Sequence, residues 1–232
     1  MQLQLKLRRI SLLLLGLAIA AGGELFYDNG KGFGTVQAAA AVYAADSGAA
    51  AAFNDIQGHW AEKEIKALSD KQFLDGYKNT QDGSLSFKPN QNITRAEFVR
   101  YFVKSKGLPL SNNTESEFTD LGDSSQEDRG YIITAVEYGL INGYPDHTFR
   151  TDSTITRAEI AAILSRSEML PPAEDASFAD IPEDYWASDA IFAVQQAGLF
   201  DGYEDGSFRP DQKMTRGEAA AVIYRLIDAS VS

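Results

Sequence analysis

The sequence contains no cysteine and only two histidines, His59 and His147. The first absence excludes disulfides and thiolate metal sites. The second leaves one histidine in each of two distant segments, without the spacing of a zinc site. Cations are scarce as well: 21 Lys and Arg stand against 33 Asp and Glu, a formal net charge of -12. Phosphate backbones are bound by clustered Lys and Arg, so nucleic acid is excluded as a partner. No long hydrophobic run is present either. The apolar stretch from Ile10 to Ala21 falls short of the roughly 20 residues needed to cross a bilayer. A Gly-x-Ser-x-Gly nucleophile elbow and a phosphate-cradling glycine loop are both missing, which removes two common catalytic frames. The segment Asp201-Gly-Tyr-Glu-Asp-Gly has the look of a calcium loop. It lacks an acidic third residue and carries Gln212 in place of the bidentate Glu. No metal or other cofactor is expected.

What is present begins with an export signal. Lys6, Arg8 and Arg9 precede the apolar stretch, the order of a secretory leader. We take residues 1–38 as signal peptide, with cleavage in the Ala-rich stretch after Val36 rather than at Ala18-Ile19-Ala20. Residues 39–52 read as an Ala-rich flexible lead-in. No stable membrane insertion is expected after cleavage. Removing residues 1–38 moves the formal charge to -14, since four cations and two anions leave with them. An exported chain without disulfides relies on packing, which suits a Gram-positive cell exterior.

Three copies of one segment fill the rest. They begin at Phe53-Asn54-Asp55-Ile56, Phe118-Thr119-Asp120-Leu121 and Phe178-Ala179-Asp180-Ile181. Each continues through a Gly-Tyr turn: Gly76-Tyr77, Gly143-Tyr144 and Gly202-Tyr203. A second turn follows, Phe87-Lys88-Pro89-Asn90, Phe149-Arg150-Thr151-Asp152 and Phe208-Arg209-Pro210-Asp211. Last come Thr94-Arg95-Ala96-Glu97, Thr156-Arg157-Ala158-Glu159 and Thr215-Arg216-Gly217-Glu218. The copies span 53–106, 118–168 and 178–230. A period of this length signals a repeat architecture, in which no unit buries its own apolar face alone.

Each copy reads as helix, turn, helix. The first helices are expected over Trp60–Phe73, Tyr131–Leu140 and Trp186–Leu199, with Gly139 and Gly198 at positions that favour positive φ. Thr-x-x-Glu is a capping box, which starts the second helices at Thr94, Thr156 and Thr215. Their continuations are apolar almost all round, so these helices belong in an interior. The fold class is therefore all-α, with the three second helices at the centre and the first helices and turns outside.

The capping box explains Thr and Glu but leaves the arginine between them unexplained. Arg95, Arg157 and Arg216 sit at the first helical position, where the dipole disfavours a cation by a few tenths of a kcal/mol. One reading is an anion receiver, with the helix-start amides and a bidentate guanidinium acting together. The other is a staple to an acidic residue of a neighbouring copy. Lys88, Arg150 and Arg209 recur seven residues earlier, either as solvated turn residues or as the rim of the same site. Tyr77, Tyr144 and Tyr203 either pack or stack on a sugar ring. Trp60 and Trp186 either clamp helix to turn or offer a flat ring to carbohydrate. Asp55, Asp120 and Asp180 read as turn or cap residues. Every distinctive residue occurs in triplicate, the habit of a binding array rather than of an enzyme, although counting carboxylates does not exclude a glycosidase pair.

These motifs resemble those of surface layer homology (SLH) repeats, and the resemblance covers Phe53 to Asp228. It implies a pseudo-trimeric, three-pronged spindle around a central three-helix bundle. It implies a non-catalytic anchor on the cell wall, within the surface layer of a Gram-positive bacterium. The implied ligand is a secondary cell-wall polysaccharide with pyruvate ketals on N-acetylmannosamine, and surface-layer proteins are alternative partners. It assigns ligand binding to Arg95, Arg157 and Arg216, with Trp60, Trp186, the Gly-Tyr pairs and the second cations lining grooves between prongs. The chain departs from the pattern in copy 2, where Glu127 or Asp128 replaces the Trp and Ser124 to Arg129 reads as an insertion. The groove involving that copy's first helix is expected to be weakest. No cargo domain is visible, so the chain reads as a bare anchor or as a product lacking its cargo.

Overall fold

The structure is a computed structural model that describes residues 25–28, 33–36, 52–173 and 178–231. The chain divides into two compact units, Met1–Ala49 and Ala50–Ser232. In the first, β1 (Leu25–Asp28) pairs antiparallel with β2 (Phe33–Val36), Leu25 opposite Val36. The rest of the expected signal peptide and the lead-in up to Ala51 lie outside the described residues.

The second unit holds the three copies. Copy 1 contains α1 (Glu62–Asp70), the short hairpin β3 (Tyr77–Lys78) and β4 (Leu85–Ser86), and α2 (Arg95–Ser105). Copy 2 contains a 3-10 turn (Leu121–Asp123), α3 (Gln126–Glu137) and α4 (Arg157–Ser167). Copy 3 contains α5 (Ser188–Gln196) and α6 (Arg216–Val231). The second helices start where the capping boxes place them. Thr94 and Thr156 accept from the Glu97 and Glu159 amides while each Glu reaches back. Thr215 and Glu218 exchange the same two bonds. The first helices start elsewhere than expected. Trp60 and Trp186 lie in the turns before α1 and α5, and α3 begins five residues before Tyr131. The reason is local: Ser125 accepts from the Asp128 amide and caps a helix that absorbs the inserted residues as its first turn. Gly139 and Gly198 do take positive φ, at 68° and 70°.

The helices of one copy do not pair with each other. Instead α3 of copy 2 packs on α2 of copy 1, and α5 of copy 3 packs on α4 of copy 2. The order closes on itself, since α1 packs on α6. Each prong is thus the second helix of one copy covered by the first helix of the next. Hydrophobic periodicity identifies the apolar face of a helix but not the element that covers it, so this pairing was not readable beforehand.

At the centre the segments before the second helices form a closed ring of backbone hydrogen bonds. The Ile93 amide donates to the Met214 carbonyl (2.9 Å), Met214 to Ile155 (3.0 Å) and Ile155 to Ile93 (3.2 Å). Ile93, Ile155 and Met214 are all buried, so the ring satisfies polar groups that have no water to turn to. Around it α2 buries Phe98, Val99, Tyr101, Phe102 and Val103, α4 buries Ile160, Ile163 and Leu164, and α6 buries Val222, Ile223 and Leu226.

Each copy also has its own aromatic pair, Phe53–Phe87, Phe118–Phe149 and Phe178–Phe208, with ring centroids 5.3, 5.5 and 5.3 Å apart. The Phe that opens a copy lies over the Gly of its Gly-Tyr turn. A Cβ on Gly76, Gly143 or Gly202 would sit 2.3, 2.1 or 2.4 Å from the ring of Phe53, Phe118 or Phe178. Packing alone therefore accounts for these glycines.

Candidate seam sites

The turn from Phe87, Phe149 or Phe208 is the hub of each copy, and an aspartate holds it. Asp55 accepts from the Phe87 and Lys88 amides, both at 2.7 Å. Asp120 does the same for Phe149 and Arg150 at 2.8 and 2.7 Å, and Asp180 for Phe208 and Arg209 at 2.7 Å each. Two charge-assisted bonds explain why Lys88, Arg150 and Arg209 tolerate left-handed backbone, at φ of 58°, 62° and 58°. The aspartates are turn residues, as the sequence suggested. Their second bond, to the amide of a left-handed cation, was signalled only by their recurrence.

On each hub the arginine of the preceding copy arrives from below. Arg95 donates from Nε to the Phe149 carbonyl (3.0 Å), Arg157 to Phe208 (2.7 Å) and Arg216 to Phe87 (2.7 Å). All three are buried, with 4%, 6% and 1% of their surface exposed. Each guanidinium lies against the hub tyrosine: Arg95 over Tyr144 at 4.6 Å, Arg157 over Tyr203 at 5.0 Å and Arg216 over Tyr77 at 4.8 Å. The second cation also stacks on that tyrosine, Lys88 at 4.1 Å, Arg150 at 3.8 Å and Arg209 at 3.7 Å. The structure therefore brings arginine, Gly-Tyr pair and second cation together, each set drawing its arginine from another copy. Stacking of this kind contributes about 0.5–2 kcal/mol, more when water is excluded.

The amides at the helix starts are not available to an anion. Arg95 and Ala96 donate their backbone N–H groups to Ser153 and Thr151, Arg157 and Ala158 to Gln212 and Pro210, Arg216 and Gly217 to Gln91 and Pro89. The neighbouring hub has already filled the positions that a free helix start would offer. Any anion binding must therefore rest on side chains. The arginines are also staples, since their bonds cross from copy to copy.

The capping-box glutamates complete the electrostatics. Glu97 accepts from Tyr77 Oη at 2.7 Å and from Arg216 Nη1 at 2.6 Å. Glu159 accepts from Tyr144 Oη and has Arg95 Nη1 3.5 Å away. Burial, and then donation to a carboxylate, pushes the Tyr77 and Tyr144 hydroxyls up from their ordinary pKa. Burial works to raise the Glu159 pKa, yet the Tyr144 hydroxyl, the Thr156 amide and Arg95 together hold it below the usual range. Burial lowers the Arg95 and Arg157 guanidinium pKa values, opposed by Tyr144 and Glu159 for Arg95 and by Tyr203 and Glu218 for Arg157.

Trp60 and Trp186 do not clamp anything: both indoles are 63% exposed. Their neighbours fix their place. His59 Nε2 lies 3.1 Å from Asn90 Oδ1, and Tyr185 Oη donates to Asp211 Oδ1 at 3.4 Å. The residues that precede the two indoles therefore reach the hubs that carry Lys88 and Arg209. In copy 2 Glu127 is exposed, and Asp128 binds Arg100 at 2.9 Å instead. An open depression of about 510 Å³ is lined by Gly202, Tyr203, Glu204, Asp205 and Arg209.

The S-layer homology domain profile matches residues 52–99, 117–161 and 177–220. Among similar proteins, the "Cellulosome-anchoring protein" of Acetivibrio thermocellus is 37% identical over 165 residues, 67% of this chain and 35% of that protein. The "S-layer protein EA1" of Bacillus anthracis is 35% identical over 198 residues, 82% of this chain and 22% of that protein. The "Amylopullulanase" of Thermoanaerobacterium thermosulfurigenes is 31% identical over 191 residues, 77% of this chain but 10% of that protein. The chain thus spans between a tenth and about a third of the length of these relatives.

Proposed function

The chain belongs to the S-layer homology domain family, and from that premise we propose that it holds an anionic, pyruvylated secondary cell-wall polysaccharide in the seams between its copies. The family sets the coarse function: this is a cell-surface anchoring module of a Gram-positive bacterium. The carboxylate of a ketal is the group that the seams suit. One observation carries the reading. A buried guanidinium and a second cation meet on one tyrosine in all three copies, on a protein whose overall charge is strongly negative. Exposed Trp60 and Trp186, each next in sequence to a residue that bonds to one of these hubs, offer flat rings for sugar. The role is non-catalytic, since the repeated residues serve hydrogen bonding and stacking in each copy alike.

The long-range field of the protein repels an anionic polymer, so attraction is confined to the seams. Salt screens the distant repulsion over about 8–10 Å and affects the buried contacts less. Retention on purified walls is therefore expected to persist, or to rise, between low and moderate salt. Because the arginines are staples, the test alters the ligand rather than the protein. Walls treated with mild acid to remove ketals should lose the chain, whereas untreated walls keep it. Equal retention on both would overturn the reading and favour a surface-layer protein as the partner.

A further inference from the structure

One position of the Gly-Tyr turn changes chemistry between copies. The residue before the glycine is Asp75 in copy 1 and Asp201 in copy 3, but Asn142 in copy 2. In the two aspartyl copies a cation of the copy's own second helix takes the carboxylate. Asp75 Oδ1 accepts from Lys104 at 2.7 Å, and Asp201 Oδ2 lies 2.8 Å from Arg225 Nη2. Lys104 and Arg225 stand nine residues after the helix-start arginines Arg95 and Arg216, and nine residues after Arg157 comes Arg166. Arg166 is exposed and makes no ion pair among the described residues. Copy 2 thus keeps the cation but has an amide in place of the carboxylate.

That amide belongs to an Asn-Gly pair, a sequence that recurs in this chain only at Asn29-Gly30, within the expected signal peptide. Asparagine is among the thermolabile residues, most of all before glycine, whose missing side chain leaves its backbone nitrogen free to approach the asparagine carboxamide. Asn142 is exposed to water. The Gly143 amide takes no part in the bonds that close the turn, which run from the Tyr144 amide to Thr148 and from the His147 amide to Tyr144. Elsewhere a bulkier residue after the asparagine would shield such a pair. Here the fold forbids it, because a Cβ on Gly143 would lie 2.1 Å from Phe118.

We infer that Asn142 is a site of spontaneous deamidation, and that its aspartyl product completes the ion pair for which Arg166 is already in place. The Gly143 nitrogen gives its proton to solvent base and bonds to Asn142 Cγ, and the side-chain nitrogen leaves as ammonia. Water then opens the cyclic imide. Breaking the new bond from Cγ to the Gly143 nitrogen leaves aspartate on an unaltered main chain. Breaking the original peptide bond leaves isoaspartate, with one more carbon in the main chain. In sum, one carboxamide and one water become one carboxylate and one ammonium ion. Isoaspartate lengthens the chain just before Gly143, which is packed under Phe118, and Tyr144, which lies 4.6 Å from the Arg95 guanidinium. Both contacts resist that change, so the folded hub favours aspartate.

The test incubates the whole folded chain in mildly alkaline buffer, beside a sample kept unfolded in denaturant, and follows each asparagine by peptide mass spectrometry. The folded chain is expected to convert Asn142 to the acid several-fold faster than exposed Asn112 and Asn113, with a larger share of aspartate than the unfolded chain gives. Asn142→Asp supplies that product directly. Its Tm should rise slightly, as a solvent-exposed pair allows, and the rise should vanish in an Arg166→Gln background. Conversion at Asn142 no faster than at Asn112, or confined to the unfolded chain, would overturn the site. The same change in Tm in both backgrounds would overturn the pairing with Arg166.

Discussion

Replacing Gly143 by Ala tests whether the glycine of the Gly-Tyr turn is there for packing or for a ligand. The added Cβ would lie 2.1 Å from Phe118 Cε1, 2.8 Å from its Cδ1 and 2.8 Å from the Thr148 carbonyl. The carbonyl belongs to the turn closed by the Tyr144 amide at 2.9 Å, so the ring must move. Phe118 is buried against Phe149. Overpacking of this kind costs about 1–3 kcal/mol, and a ring driven out to solvent forfeits about 1.5–3 kcal/mol. A loss of about 2–3 kcal/mol is therefore expected, or roughly 4–12 °C in Tm for a unit of this size. Thermal unfolding followed by circular dichroism measures it. In a Phe118→Ala background the ring clash is gone and only the approach to the Thr148 carbonyl remains, so adding Gly143→Ala should cost less than it does in the wild type. That difference is the coupling between the two residues. An unchanged Tm for Gly143→Ala, or the same cost in both backgrounds, would refute the steric account. A variant with normal stability that no longer binds walls would instead put the glycine in the ligand site.

Other expectations follow from the same contacts. Asp180→Asn keeps one acceptor oxygen for two amides, so it should lose about 1.5–3 kcal/mol, the worth of one charge-assisted bond. Denaturant unfolding measures this, and a loss under 0.5 kcal/mol, taken as the noise of about one neutral surface change, contradicts the clamp. Gln72 ends α1 in the left-handed region at φ 59° where copies 2 and 3 use Gly139 and Gly198. Gln72→Gly should therefore stabilise the protein by about 0.5–1 kcal/mol, because glycine carries no Cβ penalty there. A lower Tm would contradict it. Tyr77, Tyr101 and Tyr144 all have pKa values raised by burial. Their folded forms hold protons that the unfolded chain releases near pH 10, so stability is full below that pH and falls as pH rises beyond it. A Tm that stays flat from pH 8 to 11 would contradict that placement.

Much of the architecture was legible in the residues themselves. Thr-x-x-Glu located three helix starts, and an arginine at the first helical position stood out because a dipole disfavours it there. Both depend on neighbours within four residues, which is the range over which sequence speaks plainly. The pairing of α1 with α6, α3 with α2 and α5 with α4 was beyond that range. So was the reason for Gly76, which lies in the ring of Phe53 more than twenty residues earlier. The helix-start amides looked free in the sequence, and only the fold reveals the carbonyls of Ser153, Gln212 and Gln91 on them. Those bonds remove one argument for anion binding and move the question to the guanidinium groups. Trp60 and Trp186 were equally open between clamp and platform, because indole exposure is set by tertiary packing. Asp55, Asp120 and Asp180 could be assigned to turns but not to the two amides each holds.

The central claim is that a carboxylate-bearing wall glycan is held by arginines at the seams. Its most direct measurement is a titration of the unmodified chain with the pyruvylated N-acetylmannosamine unit beside the same sugar without its ketal. The account predicts saturable binding of the first and at least a tenfold weaker response to the second. Equal binding of both sugars, or of neither, would contradict it.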